Sequence, residues 1–156
     1  MIAARGGRYP TTPAKGTPGM QGEERRARWA DAIPAGVRGG LELFNAGAYL
    51  HQHEVLEAAW LAERGPIRDL YRGILQIGVG LYHLERGNYR GALNLLDYGI
   101  ARLVPFEPAC MGIDVAALLD GARRCRAEVA RLGPDGLPAF DRALLPTVTF
   151  VAAASR

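Results

Sequence analysis

The segment Ile67–Arg86, IRDLYRGILQIGVGLYHLER, limits the folds open to this chain more than any other stretch. At helical spacing it is apolar almost all the way round, the pattern of a helix enclosed by other helices. Such a helix needs neighbours on several sides. The expected fold is therefore all-α, a single-domain helical bundle of about five to six helices. The polar exceptions in this segment fall into line: Asp69, Arg72, Gln76 and His83 lie within about 40° of one line on the helix. Gly73, Gly78 and Gly80 share the segment. Each glycine costs about 1 kcal/mol relative to alanine in a helix interior, so together they predict close backbone approach to another helix or to a ligand.

The preceding segment, Tyr49–Glu63, also reads as a helix. With His53 set at zero, Glu57 falls at about +40°, Trp60 at about −20°, Tyr49 at about −40° and Leu56 at about −60°. This places His53 and Glu57 inside the apolar stripe, with Glu54 on its flank and His51 facing away. The short loop Arg64–Pro66 makes the two helices antiparallel. Equal distances from the loop then bring Glu57 level with Arg72, and His53 level with Gln76. Buried polar groups are costly unless satisfied. The expectation is a Glu57–Arg72 ion pair and a His53–Gln76 hydrogen bond. His83 falls roughly 9 Å further along the axis than His53, too far to join them.

The rest of the chain supplies a frame for this pair. Its 156 residues, 49% hydrophobic and 22% charged, suit one soluble domain with a sizeable core. The net charge is only +3, and Lys15 is the single lysine. No basic face interleaved with aromatics and no reading motif is visible, so no nucleic-acid partner is expected. Cys110 and Cys125 lack CxxC spacing, which argues against a zinc site or a disulfide framework. No apolar run reaches the ~18 residues of a membrane span, and no signal-peptide core opens the chain. The expected location is the cytoplasm. Residues 1–22, rich in Gly, Pro and Thr, read as a disordered tail. The helical domain is expected over 23–136. It begins with a short helix over Glu23–Ile33 anchored by Trp29. Further helices are expected over Ala35–Asn45, Tyr89–Val104 and Val115–Leu132, the last capped by Asp114. Residues 137–156 read as an extended tail in which Thr147–Val151 is strand-like but without a partner strand. Gly47-Ala-Tyr49 recurs as Gly87-Asn-Tyr89, each opening a helix after a tight turn, in the manner of tetratricopeptide-like hairpins.

Phe44-Asn45-x-Gly47-x-Tyr49-x3-His53-Glu54-x2-Glu57-x2-Trp60 is followed by Leu75-Gln76 and by Leu81-Tyr82-His83-Leu84-x-Arg86-Gly87-Asn88. This combination resembles the domain of unknown function 309 family over residues 37–96. The resemblance implies a small all-helical cytosolic protein and no particular activity. Its signature positions are His53, Glu54, Glu57, Trp60, Gln76, Tyr82 and His83. Three uses fit these residues together with Arg72. The first is a structural or protein-interaction module held by a buried His/Glu/Arg/Gln network. The second is a small-molecule or catalytic pocket between the 49–63 and 67–86 helices, walled by Tyr49, Trp60 and Tyr82. The third is a divalent metal at His53 and Glu57, although HExxE lacks the second histidine of HExxH. The first is favoured. No cofactor is predicted, no nucleophile with an attached base is visible, and an unknown protein is the expected class of partner.

Overall fold

The computed structural model describes residues 28–151. The tail expected over residues 1–22 and the first part of the Glu23–Ile33 helix lie outside the described residues. Five α-helices follow in order: α1 (Ala35–Asn45), α2 (Tyr49–Ala62), α3 (Arg68–Glu85), α4 (Tyr89–Leu103) and α5 (Val115–Gly136). The fold is an all-α bundle, as the sequence predicts. Between α4 and α5 sits a two-stranded hairpin, β1 (Ala109–Cys110) with β2 (Ile113–Asp114).

The first four helices form two hairpins with matching turns. Gly47 and Gly87 both adopt positive φ, 76° and 73°, which glycine enters without steric cost. In each turn the last carbonyls of the helix are met in the same way. Ala48 N donates to the Leu43 carbonyl at 2.9 Å and Gly47 N to Phe44 at 3.0 Å. Asn88 N donates to His83 at 2.8 Å and Gly87 N to Leu84 at 3.1 Å. This double closure by a left-handed residue terminates a helix and reverses the chain. The repeated Gly-x-Tyr of the sequence is therefore a repeated turn.

As its composition predicts, α3 is the central helix, packed against α2 on one side and α4 on the other. Glycines set the α3–α4 spacing. A Cβ added at Gly99 would lie 2.8 Å from the Gly73 carbonyl oxygen and 2.6 Å from the Ile77 side chain. The two backbones are close to contact. Helix α5 packs against α4. Asp114 caps it by accepting from Ala117 N at 2.9 Å, and Gly133, at φ 68°, breaks it before Pro134.

The C-terminal segment departs from expectation. Phe150 forms an antiparallel bridge with Ile113. Val151 N donates to Gly112 and Asp114 N to Thr149, each at 2.9 Å. Asn45 grips the strap from α1, donating to the Val148 carbonyl at 2.8 Å and accepting from Val148 N at 2.7 Å. The strand-like stretch has a partner because the β1–β2 hairpin leaves one edge whose backbone groups need pairing. A pattern search for a long strand passes over two-residue strands. On the opposite side Trp29 packs on Phe106, ring centroids 5.5 Å apart, and its carbonyl accepts from Met111 N at 2.7 Å.

Candidate functional site

Helix α2 decides where the candidate residues go. Its buried side chains are Tyr49, Gln52 and Leu56, with Ala59 packed against the core. The buried face is therefore centred about 80° away from His53. The His53 side chain is 27% exposed and that of Glu57 46%. The buried polar residue of this helix is Gln52, at 0% exposure. It enters a notch left by a glycine of α3: a Cβ at Gly78 would sit 2.3 Å from Gln52 Nε2. Gln52 donates to the Leu75 carbonyl at 3.3 Å. The sequence reading took His53 for the buried polar group. The 3-4-3 spacing of Tyr49, Gln52, Leu56 and Ala59, with Gly78 in the facing helix, carries the information that points to Gln52.

His53, Glu57 and Trp60 from α2 are instead half-buried, as are Arg68, Arg72 and Gln76 from α3, and Trp60 with Arg68 and Arg72 forms a half-open face between the two helices. The His53–Glu57 contact is 3.9 Å, too long for a hydrogen bond. Gln76 does not accept from His53. It accepts from Arg102 Nε of α4 at 3.1 Å, and the same guanidinium donates to Asp69 at 3.1 Å. Arg102 is thus the cation that joins Gln76 and Asp69, and reasoning confined to α2 and α3 missed it. The guanidinium groups of Arg68 and Arg72 each lie 4.9 Å from the centre of the Trp60 ring, a favourable stacking of cations on the indole. His83 sits apart, its Nδ1 3.2 Å from Asn88 Nδ2, and burial lowers its pKa. Tyr82 carries Arg86 over its ring at 5.5 Å. Glu54 points to a different side of α2, where it lines a cavity.

That cavity, of about 580 Å³, is an open groove between α1 and α2. Val37 walls it from α1, and Val55, Ala58 and Ala62 wall it from α2, with Tyr71 among the lining residues. Among the described residues the lining carries two carboxylates, Glu54 and Glu63, and no Arg or Lys. Glu63 is held by Arg28 through two bonds of 2.8 Å and also accepts from Gly65 N at 3.0 Å. The Arg28 bonds hold its pKa down at about 2. Tyr71 directs its hydroxyl to Met111 Sδ at 3.8 Å, and burial raises its pKa. The groove lies on the α1 side of α2. The pocket expected between α2 and α3 meets the enclosed Gln52 side chain instead, seated against Gly78.

Among the described residues no group of three or more His, Cys, Asp or Glu side chains is placed to hold a metal ion. Cys110 and Cys125 are free and buried, and burial pushes both thiols up to about 12. No helix of the described residues is long and apolar enough to cross a membrane.

Two tandem helical hairpins closed by a fifth helix, with a half-open polar face on one side of α2 and an apolar groove on the other, define a small all-helical domain. Residues 37–95 match the family model described as Domain of unknown function (DUF309). No curated protein and no solved structure matches the chain.

Proposed function

We propose that this protein is an interaction module whose α1/α2 groove receives an amphipathic helical segment of another protein. The observation that carries this is the distribution of apolar residues on α2. Tyr49 and Leu56 face the core. Val55, Ala58 and Ala62 line the groove, and Leu50 and Leu61 are exposed at 42% and 63%. Apolar side chains on several sides of a helix are normally enclosed, yet among the described residues only α1 and α3 pack extensively on this one. A helix laid in a groove is read through apolar anchors on one face, and the open side of α2 offers such a seat. The paired hairpins resemble tetratricopeptide-like units, which present helix surfaces to peptides.

The test is a nuclear magnetic resonance titration of the full chain with a synthetic amphipathic helix of Leu, Ala and Gln. Shift changes are expected at Val37, Val55, Ala58, Leu61 and Ala62, and Ala58→Trp, which fills the groove, should remove them. No shifts, or shifts confined to the face around Trp60 and Gln76, would overturn the reading.

A further inference from the structure

We infer that the segment received by this groove is flanked by arginine or lysine, and that it does not come from a second copy of this chain. The inference rests on the docking role proposed above and adds the chemistry of the partner. Among the described residues Glu54 and Glu63 line the groove, and no Arg or Lys does. At its rim Glu54, with Glu57 beside it, stands between Leu50 and Leu61 along α2, so carboxylates interrupt the exposed apolar residues. Glu63 is already bound by Arg28 at 2.8 Å. Among the described residues Glu54 takes part in no ion pair, and Glu57 pairs with His53 at 3.9 Å. Two exposed carboxylates beside apolar anchors favour a partner with complementary positive charge and repel an acidic one.

Self-association through this face meets the same charges. Closed pairing of two copies is two-fold, with the same patch on both sides. Antiparallel pairing of α2 with its copy sets Leu50 opposite Leu61 and Glu54 opposite Glu57. The apolar ends match, but carboxylate faces carboxylate in the middle.

Three labelled peptides with one apolar face and flanks of Arg, Gln or Glu test this against the full chain by fluorescence anisotropy. The Arg-flanked peptide should bind about tenfold more tightly than the Gln-flanked one at low salt, with the gap narrowing as salt rises. Glu54→Gln should weaken the Arg-flanked peptide severalfold and leave the Gln-flanked one unchanged. Equal binding of Arg- and Gln-flanked peptides overturns the charge inference while sparing the docking role. No binding of any peptide overturns the docking role itself. A benzophenone amino acid in place of Leu61 identifies the occupant by mass spectrometry. A crosslink to the Arg-flanked peptide supports the inference. A crosslink to α2 of a second copy, or to residues 1–27 of the same chain, overturns it.

Discussion

Replacing Gln52 by methionine is expected to stabilise this protein. Gln52 is fully enclosed, and among the described residues its side chain makes one hydrogen bond, to the Leu75 carbonyl, 3.3 Å long. Its Oε1 has no partner among the described residues. The Leu75 carbonyl lies inside α3 and keeps the intrahelical bond from the residue four further on. Methionine has nearly the same length, is unbranched and adapts to irregular space, so it can occupy the Gly78 notch in place of the amide. Losing one ordinary hydrogen bond costs about 0.5–1.5 kcal/mol, while relieving a buried unsatisfied acceptor returns about 1–3 kcal/mol. The balance is a gain of about 1 kcal/mol. Urea unfolding should show it as a midpoint raised by roughly 0.5 M at unchanged slope, for a slope of about 2 kcal/mol/M. A loss of about 1 kcal/mol or more would refute the reasoning. It would mean that Oε1 is satisfied in solution, and it would make the α2–α3 interface a site in its own right.

Other expectations follow from the same geometry. Gly99→Ala should cost about 2 kcal/mol, because the overpacking penalty against the Gly73 carbonyl exceeds the helix-propensity gain. Gly39→Ala, with open space around its Cβ, should instead gain about 0.5–1 kcal/mol, and thermal melts of the two variants should move in opposite directions. His53→Ala and Glu57→Ala should each change stability by less than about 0.5 kcal/mol. A loss of about 2–4 kcal/mol, the cost of breaking a buried network, would restore the network reading. Glu63 has a folded pKa of about 2, below its unfolded value. Its contribution is therefore complete above the ordinary carboxylate range and is lost as pH falls through about 2. Glu63→Gln should flatten the stability profile in that acid window, measured by urea midpoints at stepped pH.

The helices were legible because their boundaries are local events. Gly47 and Gly87 can take positive φ, Asp114 can accept from the third residue on, and Gly133 precedes a proline; each sits within a few residues of what it controls. The central place of α3 was legible for a related reason, since its lack of a wet face is written in one continuous segment. The rotation of α2 was not legible. On a helix with apolar side chains on several sides, periodicity does not single out the core face. A turn of about 80° is the difference between burying His53 and burying Gln52. Gly78 resolves the choice only once α2 and α3 are placed together, because a notch has meaning only with its occupant. Arg102 lies outside the pair of helices from which the network was inferred, and its bonds to Gln76 and Asp69 are long-range facts of the fold.

The two sides of α2 are bound by one constraint. Burying Gln52 turns Glu54, Ala58 and Ala62 toward α1 and brings His53, Glu57 and Trp60 to the α3 side. A register that buried His53 would carry Glu57 inward and withdraw the apolar side chains from the groove. The glycine at position 78 therefore does more than admit an amide: by fixing the rotation of α2 it sets which residues face a partner. Gly78→Leu tests this coupling. The added side chain should expel Gln52 and rotate α2. The shifts induced by the Leu/Ala/Gln peptide at Val55 and Ala58 should then weaken, although residue 78 is not among the groove's lining residues. A Gly78→Leu protein that is folded by circular dichroism and gives unchanged peptide-induced shifts would show that the groove is formed independently of the α2–α3 seat.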